Sequence, residues 1–167
     1  QNQREEFGNP DDINERSLYF DLKTITYTAQ YRLAEMKGWK TSFGINGMQQ
    51  NNTNKGVEQL IPDYNLFDFG IYAFSQKTIK KLTVSGGVRF DNRNINAENL
   101  LDGISIKGDA FKKSFSNVSG SIGLAAQVTN AVNLKFNIAR GFRAPSIPEL
   151  ASNGAHEGTI RYEYGNS

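Results

Sequence analysis

His156 is the single histidine of the chain, and it lies in Asn153-Gly154-Ala155-His156-Glu157-Gly158, a stretch of loop-forming residues. An imidazole there could act as a general base or a metal ligand. One histidine in a chain without cysteine makes a weak metal site, and no nucleophile stands beside it in a recognisable motif. A structural or surface place is the plainer reading. Asp11-Asp12-Ile13-Asn14-Glu15 gathers carboxylates as a calcium loop does, but it lacks the central glycine and distant glutamate of an EF-hand. Following Asn9-Pro10, it reads as a solvated turn. Gly86, Gly87, Gly120 and Gly123 fall inside strand-like runs, not between a strand and a helix, so they do not form a phosphate loop. Asn51-Asn52-Thr53 and Asn117-Val118-Ser119 fit the glycosylation pattern, which short sequences match often by chance. These residues point to no catalytic centre, no metal and no cofactor, and the chain does not read as an enzyme.

The elements that would carry such residues are strands. Leu82, Val84, Val88 and Phe90 share one parity, while Thr83, Ser85, Gly87 and Arg89 share the other. From Ser116 to Val128 the same alternation sets Val118, Ile122, Leu124, Ala126 and Val128 against Asn117, Ser119, Ser121, Gly123 and Gln127. Val132, Leu134, Phe136 and Ile138 alternate with Asn133, Lys135, Asn137 and Ala139, and Trp39, Phe43 and Ile45 with Lys40, Ser42, Gly44 and Asn46. In the run from Leu18 to Leu33, the apolar side is Ile25, Tyr27, Ala29, Tyr31 and Leu33. Before Thr24 it switches parity to Leu18, Phe20 and Leu22, which implies a bulge or a strand end in a changed environment. Phe67 to Phe74 is strand-like with aromatics on both parities, so its faces stay open. With Thr159 to Tyr164 this makes seven strands and no helix.

The connections alternate strictly in length. Lys37-Gly38, the Lys77 to Lys81 stretch and Asn130-Ala131 are short, whereas Gln50 to Asn65, Asp91 to Lys113 and Phe142 to Gly158 are long and polar. An up-and-down barrel in an outer membrane sorts its connections in this way, with short periplasmic turns and long outer loops. Runs of about ten residues also match a tilted strand crossing a bilayer, and Trp39 beside a short turn suits an interface. The fold class is therefore all-β, an antiparallel up-and-down meander of about seven strands forming a segment of a transmembrane β-barrel.

Composition is compatible with this and says little more. The 167 residues are 38% hydrophobic and 11% aromatic, with a mean hydropathy of −0.54. A barrel wall is apolar on one face of each strand only, so an average cannot reveal it. The net charge of +2 comes from 19 basic and 17 acidic residues without a block of either sign, which argues against a nucleic-acid-binding tail. The absence of cysteine excludes a disulfide framework. No run reaches the roughly 18 apolar residues of a spanning helix. The polar start, Gln1 to Glu6, is not a signal core, and a strand-like run has just begun where the chain stops. Both ends read as cut.

Asn137-Ile138-Ala139-Arg140-Gly141-Phe142-Arg143-Ala144-Pro145-Ser146-Ile147-Pro148-Glu149-Leu150 resembles the R-G-F-R-A-P-x-x-x-E-L signature of TonB-dependent outer-membrane receptors, where a barrel strand exits into an extracellular loop. The continuation through Asn153, Gly154, His156 and Gly158, then Arg161-Tyr162-Glu163, is similar to a branch of that family. As a strand exit it is physically sensible: Ile138 ends the apolar stripe, Arg140 and Arg143 can reach headgroups or loop carboxylates, and Pro145 and Pro148 stop ladder pairing. The signature positions Arg140, Gly141, Phe142, Arg143, Ala144, Pro145, Glu149, Leu150, Asn153, Gly154, His156 and Gly158 then form an interface, not an active site.

The resemblance implies a barrel of about 22 strands around an N-terminal plug, importing a scarce nutrient, above all an iron–siderophore complex. It implies energy from the TonB complex through a box near the receptor's N-terminus, outer-membrane lipid as a partner, and the outer membrane of a Gram-negative bacterium as the location. Residues 1–167 then make a partial barrel domain with no plug domain and no signal peptide. A glycan importer is the alternative inside the family. Outside it stand a soluble β-barrel or sandwich binding a small apolar ligand and, third, a β-rich hydrolase. An isolated segment is expected to bury its apolar parity by curling or self-association, since both edges and that face are otherwise open.

Overall fold

The computed structural model describes residues 2–7, 16–151, 153–155 and 162–164. The acidic cluster at residues 11–15, as well as His156 and Gly158, lies outside the described residues. One antiparallel sheet dominates. Its seven strands run in the order β1 (Asn2–Phe7), β2 (Arg16–Arg32), β3 (Trp39–Asn54), β4 (Tyr64–Ile79), β5 (Leu82–Ala97), β8 (Phe111–Gln127) and β9 (Asn133–Arg140). Two small hairpins stand apart from it: β6 (Leu100–Asp102) with β7 (Ser105–Gly108), and β10 (Asn153–Ala155) with β11 (Tyr162–Tyr164).

The meander is the expected one, with three corrections. The seventh strand of the sheet is β1, whose polar sequence carries no alternation; it pairs with Leu18 to Leu22 and so covers part of an edge that was expected to be bare. The described part of the Thr159 to Tyr164 run pairs with β10 instead of the main sheet. A five-residue helix, α1 (Ile147–Ala151), interrupts the last loop. The sheet is open, with β1 and β9 at its edges.

The main strands are longer than the alternating runs. β2 to β5 and β8 have 16 or 17 residues each. At about 3.3 Å per residue they exceed 50 Å, well beyond what a tilted strand needs to cross a bilayer. The extra length lies at the long-loop end. Asp91 to Ala97 belongs to β5, and Asn51 to Asn54 to β3, although their asparagines read as loop.

Register fixes the faces. Ala29, Ile45, Ile71, Phe90 and Val118 form one row across five strands. The next row is Thr28, Asn46, Gly70, Asp91 and Asn117, pointing the other way. The first row is apolar and exposed at its large residues, with Ile71 at 48% and Val118 at 56%. β4 is thereby resolved: Phe67, Phe69, Ile71 and Ala73 face outward, and Asp68, Gly70, Tyr72 and Phe74 face inward. Ile122, Leu134 and Phe136 are at least 60% exposed, so within one chain the apolar parity stays open and is not buried by curling.

The parity switch in β2 also has its cause. The β2–β3 register runs without a bulge from Phe20 to Arg32. Leu18 and Leu22 therefore lie on the inner face, at the level where β4 puts Tyr64 and Leu66 and β5 puts Ile95 and Ala97. Those four residues form a buried cluster with Ile147 and Leu150 of α1, and Leu22, Met48 and Phe115 pack against it. Outward at the same level stand Asn92, Asn94 and Asn96 of β5. On β2, β4 and β5 the apolar side changes from the outer face along the middle of the strand to the inner face near the long loops.

The short turns close tightly. Lys37 and Gly38 have φ of 52° and 80°, between Met36 and Trp39, which exchange both backbone hydrogen bonds at 3.2 and 2.9 Å. This is a two-residue turn of the primed kind, which needs positive φ at both centres and matches the twist of its strands. Lys80, with φ of 54°, and Lys81 form a two-residue turn between the paired Ile79 and Leu82, with positive φ at its first centre alone.

Candidate functional site

β9 leaves the sheet early. Arg140, its last residue, pairs with Gly120 in the middle of β8, and the chain then folds back across the inner face instead of climbing beside β8. Two prolines, Pro145 and Pro148, remove ladder donors in this stretch. Ser146 and Glu149 carry out one half of a capping box: the Glu149 carboxylate accepts from the Ser146 backbone N–H at 2.7 Å and from the Ser146 hydroxyl at 2.9 Å. Arg143 holds the same carboxylate with two parallel N–H bonds of 3.0 and 2.6 Å. This arrangement draws the Glu149 pKa down to about 2, the Arg143 bonds being the largest cause and the Ser146 bonds next. The Arg143 pKa is raised in return.

The far side of α1 is apolar. Ile147 and Leu150 are 3% and 6% exposed, seated among Tyr64, Leu66, Ile95 and Ala97. Arg93 provides the polar tie. Its guanidinium donates to both oxygens of Asp68 at 2.7 and 2.6 Å and to the Pro145 carbonyl at 3.2 Å. A wall ion pair between β4 and β5 thus also carries the signature segment.

Below the crossing lies a cleft of about 680 Å³, bounded by the sheet and by Phe142, Arg143, Ala144 and Ser146. Its floor carries the Asp68–Arg93 pair and a second pair, Arg89 with Asp91, which close over Gly70. Asn46 Oδ1 in this floor and Asn117 Nδ2 in the same row are buried without a hydrogen-bond partner. Such atoms are uncommon in a finished interior. The cleft therefore combines apolar walls, Met48, Phe115 and Phe142 among them, with a charged and polar floor that has unused hydrogen-bonding capacity at Asn46.

The structure brings together Phe142, Arg143, Ala144, Pro145, Glu149 and Leu150 of the sequence signature. Arg140 and Gly141 are exposed, and a Cβ at Gly141 would meet nothing within 4 Å, so packing does not require glycine there. Asn153 and Gly154 pair with Tyr164 and Glu163 in the small hairpin, away from this cleft's described lining. Sequence reasoning missed Asp68, Asp91 and Arg93. The signal existed: Asp68 sits between Phe67 and Phe69, and the period of two continues through Asp91, Arg93 and Ile95, hidden by intervening asparagines.

A family model described as TonB dependent receptor-like, beta-barrel matches residues 1–167. Among curated proteins, the TonB-dependent heme receptor A of Haemophilus influenzae (strain 86-028NP) is 27% identical over 146 residues. The match covers 83% of this chain and 20% of the relative, so the chain spans about a fifth of the length of that receptor. An exposed apolar sheet face, alternating turn lengths, the strand-exit signature and the whole-chain match agree: the chain belongs to the TonB-dependent receptor β-barrel family.

Proposed function

We propose that residues 1–167 are a wall segment of an outer-membrane, TonB-dependent nutrient importer of a Gram-negative bacterium. The observation that carries this reading is the pair of adjacent rows, one apolar and open to the outside, the next polar and turned inward. A soluble sandwich would cover the first row. On β8 the outward residues Val118, Gly120, Ile122, Leu124 and Ala126 span about 27 Å along the strand, or about 20 Å once tilted, close to the height of a barrel's lipid-facing band. Ser116, Ser114 and Lys112 continue the same parity above it.

In this reading the short turns face the periplasm and the long loops the outside. The inner face, with Asn46, Asn117 and the two ion pairs, meets the plug or the passing ligand, and the plug carries the contact with TonB. The signature segment anchors the outer rim. The cargo is an iron compound. A siderophore complex is one form, and the heme for which the Haemophilus relative is named favours a second, iron porphyrin. A glycan importer has no such support. Growth of an iron-starved host with the receptor carrying this segment, on heme or on ferric siderophores, tests the proposal: uptake should depend on TonB. Uptake of neither compound would refute the iron assignment. A receptor recovered outside the outer membrane would refute the wall assignment.

A further inference from the structure

The two neighbouring short turns, β2–β3 and β4–β5, concentrate positive charge. Lys37 lies at one tip, Lys80 and Lys81 at the other, and Lys77 between them. Register puts Trp39 beside Lys77, so residues 37 and 38 run alongside 78 and 79, one strand spacing away. The Lys77 stem covers Gly38, 3.6 Å from where a Cβ would stand, and its ammonium lies 5.7 Å from the centre of the Trp39 ring. Among residues 33–41 and 75–84 the single carboxylate is Glu35, which stands 3.9 Å from Lys40. The third short turn, residues 128–132, carries no charge at all. Among the three short turns of this segment, the charge is therefore local to two adjacent hairpins.

This patch meets the end of the exposed apolar face. Trp39, Phe43, Ile79 and Leu82 are all at least 40% exposed and share the outward parity: Ile79 and Leu82 adjoin the Lys80–Lys81 turn, Trp39 stands level with Lys77, and Phe43 lies farther along the strand. A ligand that fits must have apolar chains along those residues and an anionic head at the lysines, with indole at the boundary between them. We infer that the Lys37, Lys77, Lys80 and Lys81 patch is a binding site for the phosphate headgroup of an anionic phospholipid in the leaflet at the short-turn end of the wall. The inference rests on the wall assignment above. It adds a specific lipid contact on one side of the barrel.

The test uses the full receptor carrying this segment, reconstituted in phosphatidylcholine vesicles, with spin-labelled phosphatidylglycerol or phosphatidylcholine as the probe. Phosphatidylglycerol should associate about three- to tenfold more strongly, a preference set by lysines near the membrane surface. The preference should collapse at about 0.5 M salt, where screening acts within a few ångströms. Lys37→Gln, Lys77→Gln, Lys80→Gln and Lys81→Gln combined should abolish it, while the corresponding four arginine substitutions should retain it. Equal association of both probes, or a preference unchanged in the glutamine variant, would overturn the inference. Protease protection of the strands in the same vesicles reports the wall assignment separately. Protected strands without lipid preference remove only the site, and unprotected strands remove both.

Discussion

Leu150→Ala tests whether α1 is a latch on the inner face or a loop that only rests there. Leu150 is 6% exposed among Ile147, Tyr64, Leu66, Ile95 and Ala97. The substitution removes three carbon atoms from that contact. At about 0.8 kcal/mol per buried methylene the transfer loss is about 2.4 kcal/mol, and a residual cavity brings the cost to about 3 kcal/mol. Besides Leu150, α1 is held by the buried Ile147, by the partly buried Ala151 and, just before the helix, by the bond from Arg93 to the Pro145 carbonyl. The loss should therefore appear as local opening and leave the long β-ladders intact. The Leu150 amide bonds the Ser146 carbonyl at 3.2 Å, and its hydrogen-exchange protection should fall about a hundredfold, or to the unprotected limit. Amides of β4 and β5 in the paired stretch from Gly70 to Ile79 should not change. Equal loss in α1 and those strands would refute local latching, and no loss in α1 would refute the anchoring role of Leu150.

Acidification should loosen the same segment. Because the folded Glu149 pKa is depressed to about 2 from 4.5, the capping contribution is fully present above about pH 4.5 and is lost as pH falls through 2; exchange at Ser146 should rise in that window, and Glu149→Gln should remove the pH dependence. Gly47→Ala should destabilise the wall by about 1–3 kcal/mol, since its Cβ would lie 2.1 Å from the Asp68 carbonyl oxygen, where the Tyr27 hydroxyl also bonds at 2.9 Å. Gly86→Ala, whose Cβ would have its nearest neighbour at 3.5 Å, should cost far less in denaturant unfolding of the inserted receptor. Arg93→Lys should lose the bidentate grip on Asp68 and the Pro145 contact together, so a distance label between residues 66 and 148 should broaden, while Arg93→Lys with Leu150→Ala should exceed either alone.

The middles of β2, β3, β5, β8 and β9 were legible because one environment acts on each, whereas β4 carries aromatics on both parities and only its register settles its faces. An open apolar face on one side and a polar face on the other keep a strict period of two, seen at Val118 to Ala126 and Leu134 to Ile138. The ends were not legible, because there the apolar side inverts. Ile95 and Ala97 pack inward under α1 while Asn92, Asn94 and Asn96 face out, and a window expecting outward apolar residues reads this stretch as loop. β1 pairs with β2, yet its sequence, Asn2 to Phe7, is polar and shows no period of two that would announce a strand. α1 is too short for helical periodicity and contains Pro148. Its Ser146-x-x-Glu149 spacing was nevertheless a usable start signal. The signature was readable as a strand exit, but its partner Arg93 is about fifty residues upstream, and only the register of β4 with β5 reveals that Arg93 and Asp68 meet.

Which face meets lipid decides the wall reading. Spin labels placed singly at Val88, Phe90, Val118 and Ile122, and at Asp91, Asn117, Ser119 and Ser121, in the vesicle-inserted receptor would measure this through collision with oxygen and with a water-soluble nickel complex. The first four positions point outward in the sheet register and the second four inward. The first set should show high oxygen and low nickel access, and the second set the reverse or low access to both. Alternation in the opposite sense, or none between adjacent positions, would contradict the assignment of the faces and with it the wall reading.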